Sequence, residues 1–292
     1  MDDRITFYLN NLTTQGKSQN TIDAYRRDLH KFEIFLTEEN LSLEQFEELQ
    51  IVSYTESLMD SGISKSSIIR NLVTLRNFYK FLRRQGFVLE APILYYELPH
   101  LDRDLPEILT VDEMSQILEA PDSKTNKGKR DRAILELLYA SGLKVSELIH
   151  LELLDVNVEK RYIVCAGSKG KERLIPIGSK AVESLRSYLD IRNQMASDST
   201  KLLFTSNQGD SITRQGVWKL LKNYKDQVGI TKEVNLNTLR HSFAVHLLDN
   251  GADMKAVQEM LGHTDINATL RYEELKKKNK LMEIYKNAHP RA

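Results

Sequence analysis

Asn237-Thr-Leu-Arg-His-Ser-Phe-Ala-Val-His-Leu247 is the stretch on which the fold turns. Leu239, Phe243 and Leu247 recur at helical spacing and face a core, while Asn237, Arg240 and Ala244 share a different side. The helix therefore packs and still offers phosphate-seeking groups. Downstream, Leu261-Gly262-His263 reads as a helix end, with the glycine suited to the position just past it. Tyr272 follows His263 by nine positions, flanked by Arg271 and Glu273. Taken singly, His263 also fits a helix-terminal histidine bonded to a carbonyl, and Tyr272 a half-buried packing residue. The other histidines, His241 and His246 among them, receive no separate role.

Toward the N-terminus lie a short strand candidate, Leu202-Leu-Phe204, and two β-rich runs, Tyr162-Ile-Val-Cys165 and Arg173-Leu-Ile-Pro-Ile177. Gly167-Ser-Lys-Gly170 separates the two runs, which predicts a hairpin with a basic, glycine-containing tip. Before it, Ile134, Leu137 and Leu138 mark one face of a helix that follows a polar loop at 122–129. Thr110-Val-Asp-Glu113 has the form of a capping box and opens a helix through Glu119. Residues 87–106 hold Pro92, Pro99 and Pro106 without a sustained period and read as a linker.

The first 86 residues read as four helices. Their apolar rows are Ile5-Tyr8-Leu9-Leu12, then Ile22-Tyr25-Leu29-Phe32-Leu36, a third segment at 43–60, and Ile68-Leu72-Leu75-Tyr79-Leu82. On the fourth helix Arg76, Lys80 and Arg84 follow an i, i+4, i+8 row, with Arg70 near its edge. No acidic residue occurs at 61–89, whereas solvated charged faces usually mix signs. The row is therefore a DNA-contact candidate, with a plain solvated face as the alternative. The fold class is mainly α with a small β-hairpin: a helical domain at 1–86, a linker, and an α+β domain at 107–292.

Composition is that of a globular protein, with 41% hydrophobic and 28% charged residues over 292 positions. No apolar run approaches the roughly 20 residues of a membrane span. The polar start Met1-Asp2-Asp3-Arg4 lacks a signal-peptide pattern, so a cytoplasmic location and no membrane partner are expected. The single Cys165 excludes an internal disulfide and a multi-cysteine zinc site, and reads as a packing residue. Formal net charge is zero, which places the weight on charge distribution rather than on a basic surplus. There is no carboxylate cluster for a metal, no Walker-type phosphate loop and no Gly-x-Ser-x-Gly elbow.

In order and spacing the motifs resemble the tyrosine recombinases of the phage integrase family, most closely the Xer branch. The resemblance covers almost the whole chain. It is carried by Tyr139-Ala-Ser-Gly-Leu-Lys-Val-Ser-Glu-Leu148, Lys171-Glu-Arg-Leu-Ile-Pro176, Thr238 through Leu247, and Asn250-Gly-Ala-Asp253 through Gln258-Glu-Met-Leu-Gly-His263 to Tyr272. The resemblance implies a core-binding helical domain at 1–86 and a catalytic domain at 107–292 that form a clamp on double-stranded DNA. It implies Tyr272 as the nucleophile of a 3′-phosphotyrosyl intermediate, Arg240 as a grip on the scissile phosphate, and His263 as a hydrogen-bonding partner of that phosphate. Neither a metal nor another cofactor is implied, because cationic side chains supply the charge and the covalent link conserves the bond energy.

Three positions depart from the family pattern. The usual hairpin lysine position is Ser168, so Lys169 is preferred for protonating the leaving oxygen, with Lys171 as the alternative. The first family arginine is Lys144, which keeps the charge and loses the planar two-point grip. The histidine before Thr-Leu-Arg is Asn237, which hydrogen-bonds but carries no proton at neutral pH. Glu147 matches the family glutamate that braces the site, a surface charge being the other option. The resemblance further implies a homo- or hetero-tetramer on paired sites, linked through a helical tail at 276–292, with a role in chromosome dimer resolution or related DNA integration and recombination. Lys144 and Asn237 keep open an alternative, a catalytically impaired DNA-binding relative on the same scaffold.

Overall fold

Asp2 and Ser18 accept hydrogen bonds from the N–H groups of Arg4 and Thr21, and so open helices α1 (Asp3–Thr14) and α2 (Gln19–Glu38). The computed structural model describes residues 2–99, 106–166, 172–195, 200–206 and 208–263, with positions 269, 270, 272 and 275. By contacts the chain divides into two compact units, Met1–Arg103 and Asp104–Ala292.

The first unit adds α3 (Glu48–Asp60) and α4 (Lys65–Arg84). Its core gathers the apolar rows read from the sequence, with Phe32 at its centre: ring centroids lie 4.7 Å from Phe46 and 5.4 Å from Tyr54. The segment expected to be helical over 43–60 is broken. A 3-10 turn, Leu43–Gln45, precedes α3, and buried Phe46 lies between them. Each piece has its own start signal, Gln45 capping the N–H of Ser42 and Gln50 that of Glu47. Burying one aromatic ring of this kind contributes about 1.5–3 kcal/mol, enough to offset one interrupted turn.

The basic row on α4 is also divided. Arg70 donates from Nε and Nη2 to both oxygens of Asp28 at 3.0 and 2.8 Å, and Thr74 donates to the same carboxylate at 3.0 Å. Asp28 is fully buried on α2, so the absence of acidic residues near α4 in sequence does not hold in space. Arg76 donates to the carbonyl oxygens of Ile93 (3.2 Å) and Tyr96. Those two bonds change the expected linker at 87–106: Val88, Ala91 and Ile93 are buried in the N-terminal core around a 3-10 turn at Pro92–Leu94. Side-chain donors satisfy a backbone that has no helical period of its own.

In the second unit, α5 (Val111–Glu119) opens on the expected capping box: Thr110 Oγ1 accepts from Glu113 N–H, and Glu113 Oε2 from Thr110 N–H. Helix α6 (Asn126–Ser141) ends at Gly142 and is buried on nearly all sides rather than on one face. Helices α8 (Ser179–Arg192) and α10 (Leu236–Asp249) pack against it. The hairpin forms from β2 (Tyr162–Ala166) and β3 (Glu172–Pro176), with Ile163 opposite Ile175 and Cys165 opposite Arg173. A two-residue strand, β1 (Val156–Asn157), completes an antiparallel sheet in the order β1-β2-β3. Cys165 is buried. The strand expected at 202–204 reduces to one bridge, Leu202 with Glu152. This unit also contains α7 (Val145–Leu148), α9 (Arg214–Gln227) and α11 (Met254–Leu261). The hairpin tip, with Ser168, Lys169 and Lys171, and the tail at 276–292 lie outside the described residues.

Candidate active site

Two helix ends and one helix start converge on Arg240. Helix α6 closes on Gly142 with φ +59°, and a Cβ there would run into the ring of Phe243, so both conformation and close approach call for glycine. Helix α11 closes on Gly262 with φ +64°, where a Cβ would meet the Arg173 guanidinium at 3.0 Å. Arg240, buried on α10, donates to the carbonyl oxygens of Gly142 and Leu261, the latter at 2.6 Å. Two of its five donors thus cap α6 and α11, whose last carbonyls have no partner within their own helices. Burial lowers the Arg240 pKa from its ordinary value, and Glu147 opposes that shift.

Arg173 on β3 joins the hairpin to the same place. Its Nε donates to Met260 O at 2.8 Å, and its Nη2 to Glu147 Oε2 at 2.7 Å. Glu147 also accepts from the Lys144 N–H at 2.8 Å, so it braces the start of α7 and is no mere surface charge. Lys144 is exposed at that helix start.

His263 follows Gly262, and its Nδ1 lies 2.9 Å from Thr269 Oγ1. Its pKa falls to about 4, first through burial and then through the positive charges of Arg240, Lys144, His241 and Arg173. At neutral pH it is a neutral hydrogen-bonding group. Tyr272 is 3% exposed. Its ring stacks toward His263 with centroids 6.3 Å apart, and its hydroxyl lies 2.9 Å from His241 Nδ1.

The structure therefore brings together Tyr272, Arg240 and His263, with Lys144 within electrostatic reach. Asn237 is exposed in the first turn of α10, its N–H bonded to Asn235 Oδ1, and lines a groove with Arg214 and Trp218. Sequence reasoning passed over His241 and Arg173. His241 adjoins Arg240 in the chain, but its partner Tyr272 is 31 positions away, and a single-face view of α10 conceals the contact. In the N-terminal unit, Lys80 and Arg84 are exposed and line one cleft with Lys17, Asn11 and Gln15. Among the described residues, no group of three or more His, Cys, Asp or Glu could hold a metal ion. Nor is any helix among them long and apolar enough to cross a membrane.

Residues 107–279 match the phage integrase family, and residues 5–86 match the phage integrase N-terminal SAM-like domain. The chain is 43% identical over 281 residues to the tyrosine recombinase XerD of Staphylococcus haemolyticus, covering 95% of each. It is 41% identical over 296 residues to XerD of Staphylococcus epidermidis, covering 100% of both. Among solved structures, the XerA recombinase is similar at 29% identity over 100% of both chains, with a TM-score of 0.56. The XerH site-specific recombinase bound to palindromic difH substrate shares the fold with a TM-score of 0.78, at 21% identity over 97% of this chain and 89% of that one.

Proposed function

The chain belongs to the phage integrase family and is a site-specific tyrosine recombinase of the Xer type, and from that premise we propose that Tyr272 attacks a backbone phosphate of duplex DNA. The phenolic oxygen bonds to phosphorus, giving a 3′-phosphotyrosyl link, and the 5′ oxygen leaves as a hydroxyl. A second DNA end then reverses the step, so the exchange is two transesterifications that consume no nucleotide.

Arg240 faces the charge that builds on the non-bridging oxygens, where a guanidinium fork is most effective. Lys144 adds charge without the planar fork. His263, held neutral, hydrogen-bonds the phosphate. Asn237 hydrogen-bonds without carrying a proton, and Lys169 of the hairpin protonates the leaving oxygen. Lys80 and Arg84, with Lys17 beside them, contact the DNA backbone; Arg70 and Arg76 are kept for folding. Four protomers on two paired sites, acting in chromosome dimer resolution, complete the proposal. The full-length similarity to XerD proteins supports that setting.

The observation that supports the chemistry best is the burial of Tyr272 with its hydroxyl 2.9 Å from His241 and its ring against His263, within electrostatic reach of Arg240. The test uses a duplex site selected by the protein from random sequences, then nicked to trap the intermediate. The wild-type chain should leave a detergent-stable protein–DNA adduct, and Tyr272→Phe none. An adduct of equal yield with Tyr272→Phe would sink the proposal.

A further inference from the structure

Resting on Tyr272 as the nucleophile, we infer that His241 is the base that takes the tyrosine proton during cleavage and returns it during rejoining. A phenol ordinarily ionises near about pH 10, so at neutral pH only about one in a thousand is phenolate. Attack on phosphorus therefore needs a proton acceptor within hydrogen-bond reach of the hydroxyl. Among the described residues, three groups are candidates. Asn237 has an amide in place of a basic ring and cannot accept the proton. His263 has its Nδ1 bonded to Thr269 Oγ1, and its lowered pKa makes it a weak base. His241 has Nδ1 at 2.9 Å from the Tyr272 oxygen, with ring centroids 5.5 Å apart.

In the tautomer that carries its hydrogen on Nε2, the His241 ring accepts through Nδ1, and the Tyr272 O–H points along the path of transfer. The ring is half-buried on α10, one residue past Arg240. That helix is fixed at the site by the Arg240 bonds to Gly142 and Leu261, and by Ser242, whose hydroxyl accepts from Leu109 N–H at 2.9 Å. The base and the phosphate grip are thus held by one rigid element. Among the described residues, the charged and titratable groups around the pair are Arg240, His263, Lys144 and Arg173, with Glu147 behind Arg173.

The step balances as follows. The bond from the Tyr272 oxygen to phosphorus forms as its proton passes to His241 Nδ1. The bond from phosphorus to the 5′ oxygen breaks, and that oxygen takes its proton from the hairpin lysine. On rejoining, the 5′-hydroxyl passes its proton to the hairpin lysine as its oxygen bonds to phosphorus, the bond from phosphorus to the Tyr272 oxygen breaks, and His241 returns its proton to that oxygen.

Single-turnover adduct formation on the nicked substrate tests this in the full-length chain. His241→Gln keeps a polar group near the hydroxyl and removes the base. Its rate near pH 7 should fall about 10²–10³-fold, with half-site DNA affinity unchanged. The deficit should shrink as pH rises, because phenolate then forms without a base. Added imidazole should partly restore His241→Ala. On a substrate with sulfur at the bridging 5′ position, whose leaving group needs no proton, the His241→Gln deficit should persist. Cleavage by His241→Gln within threefold of wild type would overturn the inference. So would a deficit constant across pH and unmoved by imidazole, which would make His241 a positioning residue. A deficit that vanishes with the sulfur substrate would also overturn it, by moving His241 to the leaving group. Tyr272→Phe separates the two claims: an adduct there removes the nucleophile itself, whereas its loss beside an active His241→Gln removes only the base.

Discussion

Arg70 on α4 and Arg240 on α10 are both built into helices, and their partners set them apart. Arg70 meets both oxygens of the buried Asp28 carboxylate, a neutral pair that ties α4 to α2. Arg240 meets the carbonyl oxygens of Gly142 and Leu261. Carbonyl dipoles steady a guanidinium without cancelling its charge, and burial makes that charge costly until an anion arrives. In this chain the nature of the partner, more than the place on a surface, separates an arginine neutralised within the fold from one whose charge is left for the phosphate that we propose it grips.

The largest effect is expected from Arg240→Gln. Adduct formation should fall about 10²–10³-fold, about 2.7–4 kcal/mol of transition-state stabilisation. Single-turnover cleavage measures it, and a rate within tenfold of wild type would erase the contrast. Arg70→Met should act on folding instead. It leaves the Asp28 carboxylate buried without its half-exposed, partly screened guanidinium, at a cost of about 1–3 kcal/mol in urea unfolding. The salt slope of DNA binding should stay put; a changed slope at unchanged stability would return Arg70 to the DNA contacts.

Lys80→Glu with Arg84→Glu should leave stability within about 0.5 kcal/mol and lower the salt slope by about two. An unaltered slope would take the α4 row out of the interface. The smallest effect belongs to His263. Its pKa is about 4 in the folded chain against an ordinary value of 6.5, so the unfolded chain takes up the proton first as pH falls. The stability it contributes is complete above about pH 6.5 and is lost as pH drops toward about 4. His263→Gln should flatten the dependence of the urea midpoint on pH in that window. An unchanged slope would mean that the ring is not held neutral.

The sequence made the helices of the N-terminal unit legible because each buries a stripe at helical period. The break at Phe46 was not, since apolar spacing runs through it and only the two separate caps betray it. Strand β1 is too short to show a pattern, and α6 is buried on nearly all sides, which conceals its period. At the site, Tyr272, Arg240 and His263 could be found by motif order. The partners of Arg70, Arg76 and His241 could not, because they come from 42, 17 and 31 positions away. Local pattern reports which face a helix buries; it is silent about what waits on the other side.

The clasp formed by Arg240 bears on which substitutions this scaffold can accept. A lysine ammonium is a compact charge, and a guanidinium reaches two oxygens in different directions. Lys144 stands exposed at the start of α7, where its backbone N–H donates to Glu147 and its carbonyl accepts from Glu147 and Leu148, so the side chain there could change from the family arginine without undoing the fold. Position 240 has two helix ends hanging from it. Drift is thus open at one cationic position and closed at the other, whatever selection asks of the chemistry.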